Sequence, residues 1–254
     1  MTEQVIIEVC VDSVASAMAA ERGGAQRVEL CSDLLEGGVT PSLGLIEAVR
    51  SNTSIGVHPI IRPRPGDFFY SDEEFDIMRR DIDVFKDAGV DGVVLGILNV
   101  DATVDVERTR ELVECARPLS VTYHRAFDMS ANLLRALDDV CATGAERILT
   151  SGGGPDCVQG MKALAELVKA ARDRVTIMAG GGIGHNNAAK IIERTTVKEI
   201  HVGLASPKAS PMLHRNSRVF LGKTQGTEYQ RTEVLENDVR ALVNAVTSVN
   251  TKPR

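Results

Sequence analysis

A chain of 254 residues, 43% hydrophobic and 25% charged, can bury a large core, and its length suits one (β/α)8 barrel, which needs roughly 250 residues. A formal net charge of −6 argues against a nucleic-acid surface, and no apolar run approaches the ~20 residues that span a bilayer. The first residues, Met-Thr-Glu-Gln, lack the features of a signal peptide, and the five cysteines show no CxxC spacing, so we expect a cytosolic protein with free thiols that binds a metal ion or a small anion.

Short β-like runs recur in order: Val5–Cys10, Arg27–Cys31, Val57–Arg62, Gly92–Gly96, Leu119–His124, Arg147–Ser151, Val175–Gly180 and Glu199–Gly203. Each gap holds a loop and a helix, which implies βαβ units and a parallel sheet, and eight units imply closure into a TIM barrel. Gly24, Gly89 and Gly144 each stand about three residues before a strand in one shared template, as left-handed helix ends do. Helix starts are read at Thr40 with Pro41, at Ser71 in a capping box with Glu74, at Ser130 and at Asn186. The stretch Leu204 to Thr227 reads as a long irregular loop before a closing helix near Glu228–Ser248. No linker or composition shift divides residues 1–254, so a single barrel domain is expected. A homodimer is the default assembly.

Alternation along Ile6-Ile7-Glu8-Val9-Cys10 and Arg27-Val28-Glu29-Leu30-Cys31 puts Glu8, Cys10, Glu29 and Cys31 on one face. Helices cover the outside of a barrel, so these four point inward, and neighbouring strands bring the two thiols within reach of each other. Paired sulfurs suit a soft ion such as Cu(I), and one bridging ion needs them about 4–5 Å apart, given metal–sulfur bonds of about 2.3 Å. The plainer reading is that cysteine fills space in the interior.

Arg62 ends the third run, while His124 and Arg125 end the fifth, within Ser120-Val-Thr-Tyr-His-Arg-Ala-Phe-Asp128. A set of Glu8, Glu29, Arg62 and His124 at one mouth could work as an acid–base site of an enzyme, or equally as a salt-bridge network that holds the barrel together. Gly180, Gly181 and Gly182 after the seventh run, with Ser206 after the eighth, form a candidate anion cradle for a phosphorylated or carboxylate ligand.

The motifs Glu8-Val-Cys-Val-Asp-Ser13, Gly23-Gly-Ala-Gln-Arg-Val-Glu-Leu-Cys31, Gly37-Gly-Val-Thr-Pro-Ser42, Ile61-Arg-Pro-Arg64 and Tyr123-His-Arg-Ala-Phe-Asp128 together closely resemble the CutC copper homeostasis family. Leu149–Gly152 and Gly180–Ile183 extend the likeness. It implies a TIM barrel and a cytosolic role in copper binding or tolerance, with Cys10 and Cys31 as the ligands. After the eighth run the chain has Gly203-Leu-Ala-Ser-Pro-Lys208 where the family tends to show Ser-Ala-Arg, although Arg215-Asn-Ser217 matches.

Overall fold

The structure, a computed structural model, describes residues 5–221 and 227–250. Strands and helices alternate: β1 Ile6–Val11, α1 Val14–Gly23, β2 Arg27–Leu30, α2 Leu43–Asn52, β3 Gly56–Pro59, α3 Asp72–Asp87, β4 Gly92–Leu95, α4 Val106–Ala116, β5 Ser120–Tyr123 and α5 Leu133–Thr143. Then follow β6 Arg147–Thr150, α6 Met161–Ala171, β7 Thr176–Gly180, α7 Ala188–Thr195, β8 Glu199–Val202, β9 Ala205–Ala209, β10 Gln230–Val234 and α8 Glu236–Asn250. The first eight strands form one parallel sheet in the order β3-β2-β1-β8-β7-β6-β5-β4. Between β3 and β4 the seam is drawn together by a parallel bridge, Ile60 to Val94, and by Ile61 N–H donating to the Val94 carbonyl at 2.7 Å. The result is the expected (β/α)8 barrel.

Alternation explains its two layers. Outward-facing Ile7, Val9, Val28, Leu30, Val57, Val93, Ile148 and Ile200 are buried beneath the helices, where they meet Ile46, Met78, Leu112, Leu137, Leu164 and Leu242. The inward faces carry Glu8, Cys10, Arg27, Glu29, Cys31 and His58 instead. A barrel interior is usually packed with branched apolar side chains; here it is largely polar, so its packing is governed by charge pairing.

Local signals hold in part. Gly24, Gly89 and Gly144 have φ of 96°, 72° and 87°, a region that only glycine enters without strain, so each can end its helix and turn the chain into the next strand. Ser71 and Glu74 make the full capping box. Thr40, however, does not cap α2: Ser42 does, accepting from Leu45 N–H, while the Thr40 hydroxyl accepts from Arg62 N–H at 2.9 Å. Asn132 rather than Ser130 caps α5, because the Ser130 hydroxyl is spent on the Phe127 carbonyl. Asn187, not Asn186, precedes α7, and its side chain closes the loop by accepting from Gly184 N–H. The stretch read as an irregular loop contains β9, which pairs antiparallel with β10, so the closing helix starts at Glu236 and not near Glu228. Residues 222–226 of that stretch lie outside the described residues. Among the described residues no helix is long and apolar enough to cross a membrane.

Two glycines of the fourth strand region make room for inward imidazoles. A Cβ on Gly92 would lie 2.5 Å from the His58 ring, and one on Gly96 would lie 2.6 Å from the His124 ring. Gly96→Ala therefore has to displace His124, and we expect a loss of about 1–3 kcal/mol in urea denaturation. Wild-type stability in that variant would show that the ring moves freely.

Candidate functional site

The site is built on a charged floor. Glu8 is fully buried and takes the Arg27 Nε–H on one oxygen and His201 Nδ1 at 2.8 Å on the other. Arg27 also donates to Glu199 at 2.5 Å, and Arg147 donates to the same Glu199 oxygen at 2.6 Å before reaching the hydroxyls of Ser120 and Thr122. Two carboxylates and two guanidinium groups thus neutralise one another across strands β1, β2, β6 and β8. Burial would raise the Glu8 pKa, but the His201 hydrogen bond and the Arg27 charge outweigh it and hold Glu8 well below the ordinary carboxylate range.

Above this floor sit the thiols. Cys10 Sγ and Cys31 Sγ are 3.9 Å apart, and Cys31 Sγ is 3.6 Å from Glu29 Oε2. One donor atom from each of Cys10, Glu29 and Cys31 lies within 4.8 Å of the others. His201 Nε2 is 3.8 Å from Glu29 Oε2, so the imidazole fixed by Glu8 through Nδ1 faces this group with its other nitrogen. The hydrogen bond from Cys31, aided by His201, pulls the Cys10 thiol down to about 5 against its burial. That same hydrogen bond and burial push Cys31 well above its usual value, and burial lifts Glu29 to about 8. Burial disfavours a charged His201, yet Glu29, Cys10 and Glu8 together raise its pKa well above the ordinary imidazole value.

A cavity of about 630 Å³ opens over Cys10, lined among others by Cys10, Glu29, Arg62, His124, Gly181 and Gly182. That volume is in the range of small-molecule sites. Arg62 is buried at the end of the third strand region, where NH1 donates to the Glu36 and Gly38 carbonyls and NH2 to that of Gly66. Its guanidinium carbon lies 5.2 Å from the centroid of Phe68, whose ring is in turn 4.9 Å from that of His124. Arg125 reaches Asp128 at 2.8 Å and Ser151 at 2.9 Å. Asp128 accepts in addition from the Ser151 and Gly153 amides, tying the loop after β6 to the rim.

The residues expected to meet at one mouth divide into two levels. Glu29, Arg62 and His124 line the same cavity, whereas Glu8 lies beneath it with its partners made inside the barrel. Of the expected anion cradle, Gly181 and Gly182 reach the cavity wall. The space over Gly180 is taken by Leu149, 2.4 Å from where its Cβ would be, and by His201. Ser206 belongs to β9 and donates to Asp238 of α8, outside the cavity lining.

Sequence reasoning missed His201, Arg27, Glu199 and Arg147. Alternation along Glu199-Ile-His201 was the available signal, since it puts Glu199 and His201 inward on the strand beside β1.

The sequence profile of the CutC family matches residues 5–206. The chain belongs to the CutC family. It is 45% identical to a family protein CutC of Chromobacterium violaceum over 95% of this chain and 98% of that one. It is 43% identical to the human copper homeostasis protein cutC homolog, over 95% and 88% of the two chains. Among solved structures, CutC of Streptococcus agalactiae superposes with a TM-score of 0.74 at 33% identity, covering 78% of this chain and 98% of the other. A thiamine phosphate pyrophosphorylase of Pyrococcus furiosus, 17% identical, superposes with a TM-score of 0.60 over 96% of each chain and shares the fold alone.

Two measurements check this CutC site. Arg27→Met leaves Glu8 and Glu199 short of a buried counter-ion and should cost about 3–5 kcal/mol in denaturant unfolding; a loss under 1 kcal/mol would mean that the floor is hydrated rather than ion-paired. Burial, with Arg62 adding for His124, lowers His58 to about 4 and His124 to about 3. These values lie below the roughly 6.5 of the unfolded chain, so the contribution of the two rings is complete above that pH and is lost as pH falls toward 4. His58→Gln should therefore flatten the acid limb of a plot of urea midpoint against pH, and an unchanged limb would contradict burial of the neutral ring.

Proposed function

We propose that this CutC protein binds Cu(I) through Cys10 and Cys31, with Glu29 as a third donor, as part of copper handling in the cytosol. The observation that carries this reading is the 3.9 Å separation of the two sulfurs, with the Glu29 carboxylate inside the same 4.8 Å cluster. With metal–sulfur bonds of about 2.3 Å, that separation corresponds to an S–metal–S angle of about 115°, which leaves a place for a third donor. It lies at the short edge of the range a single bridging ion requires.

The chemistry of the donors fits the same ion. Thiolate ligands select soft metals, and Cu(I) accepts low coordination numbers. Cys31 packs against Ile60 and Val94, with Leu34 adjoining, so one side of the cluster is apolar and excludes water. The charged floor fixes His201 and thereby the face the cluster turns to the cavity. Cys10 is the more open of the two thiols and lines the cavity, which gives an ion a route in. Names in the family that refer to copper homeostasis agree with this reading.

Anaerobic titration of reduced protein with Cu(I) against a chromogenic chelator is expected to give one tightly bound ion per chain. The Cys10→Ser, Cys31→Ser double variant should lose it, Glu29→Gln should weaken it less than either single cysteine change, and Cys157→Ser should leave it unaltered. Unchanged affinity in the double variant would reject these ligands.

A further inference from the structure

Apart from the thiols, the upper wall of the cavity contains two buried donors without acceptors. Arg62 is 6% exposed and His124 4% exposed. Arg62 Nε and His124 Nε2 have no hydrogen-bond partner among the described residues. Such groups are costly to bury, and native structures keep few of them.

The identity of each donor follows from its surroundings. His124 Nδ1 accepts from the Ala126 amide at 3.2 Å, so in the neutral ring the proton sits on Nε2. Burial and the Arg62 charge keep that ring neutral. The three hydrogen bonds of the Arg62 guanidinium all end on backbone carbonyls, the Tyr70 hydroxyl adjoins it, and no carboxylate among the described residues pairs with it. A buried cation without a counter-ion is costly, and the other buried arginine, Arg27, has one in Glu199, which it shares with the half-buried Arg147. Phe68 bridges the two groups, in contact with the guanidinium on one side and the imidazole on the other.

The geometry points to a binding site for a small organic anion in the upper cavity, its oxyanion taken by Arg62 and the His124 Nε2–H. An oxyanion supplies the acceptor that both donors lack and the charge that Arg62 lacks. Leu149 and Ile183 of the same cavity supply an apolar wall for the body of the ligand, which favours a carboxylic acid or a phosphate monoester over a bare inorganic ion. Arg125, already engaged by Asp128, adds a partly exposed positive charge at the rim. The site shares the cavity with the thiols but uses none of the three donors assigned to copper.

Nitrogen-15 NMR of copper-free wild-type protein, titrated separately with inorganic phosphate and with acetate, tests this directly. We expect a saturable change at the His124 imidazole nitrogens and the Phe68 amide. Saturation by phosphate alone assigns phosphate esters, and by acetate alone assigns carboxylic acids. Arg62→Gln should weaken binding by about tenfold or more, as loss of a charge-assisted pair does. Should that variant not fold, His124→Gln serves in its place, read at the Phe68 amide. No saturable change at His124 with either anion in the wild type, or unchanged affinity in a folded Arg62→Gln protein, would overturn the inference. The Cys10→Ser, Cys31→Ser variant should still bind the anion, so failure of the copper reading and failure of this one are separable.

Discussion

A carboxylate with no exposure to water, Glu8, is the constraint on which the interior depends. Left alone, it would be protonated or would unfold its surroundings. Arg27 and His201 satisfy it, and each brings a further requirement: Arg27 needs Glu199, which draws in Arg147, while His201 is held in one orientation with Nε2 toward Glu29 and Cys10. A pairing rule applied at one residue therefore reaches across four strands and sets the electrostatic surroundings of the thiols. The helices and the outward apolar faces close the barrel, and the floor decides what the barrel presents.

Stacked on that floor are two regions of different character. The thiol cluster is compact, soft and dry on the side of Ile60 and Val94. The wall of Arg62, Phe68 and His124 is cationic and donor-rich, and it belongs to the larger open volume. Glycine makes both possible where space is short. Gly96 leaves room for the His124 ring, and Gly38 approaches Cys31 so closely that an added Cβ would stand 3.0 Å from its sulfur. Neither region uses the charge compensation of the other, so a soft metal and a hard anion can each find their preferred chemistry within one mouth.

Much of the architecture was legible in the residues. Eight β-like runs, helix-ending glycines and the inward Glu-x-Cys pairs follow from periodicity and from the limits on φ, which are local properties. Partner choice was not legible in the same way. Arg62 looked like a counter-ion for Glu8 because both stand in strand regions that meet at one mouth, but the register pairs Glu8 with Arg27 and His201. His201 is signalled only by alternation within the short run of β8, and its pairing with Glu8 comes from the register of β8 against β1. The stretch after β8 reads as loop on composition, and its pairing with β10 is a long-range event that Ser, Pro and Gly content does not reveal.

The proposal that Cys10 and Cys31 hold Cu(I) stands or falls on which atoms would surround the ion. X-ray absorption at the copper edge of the Cu(I)-loaded protein measures this directly. The account predicts a first shell of two sulfur scatterers with one lighter atom, reduced to a sulfur-free shell or to no bound copper in the Cys10→Ser, Cys31→Ser variant. A first shell made only of nitrogen or oxygen in the wild-type protein would contradict it.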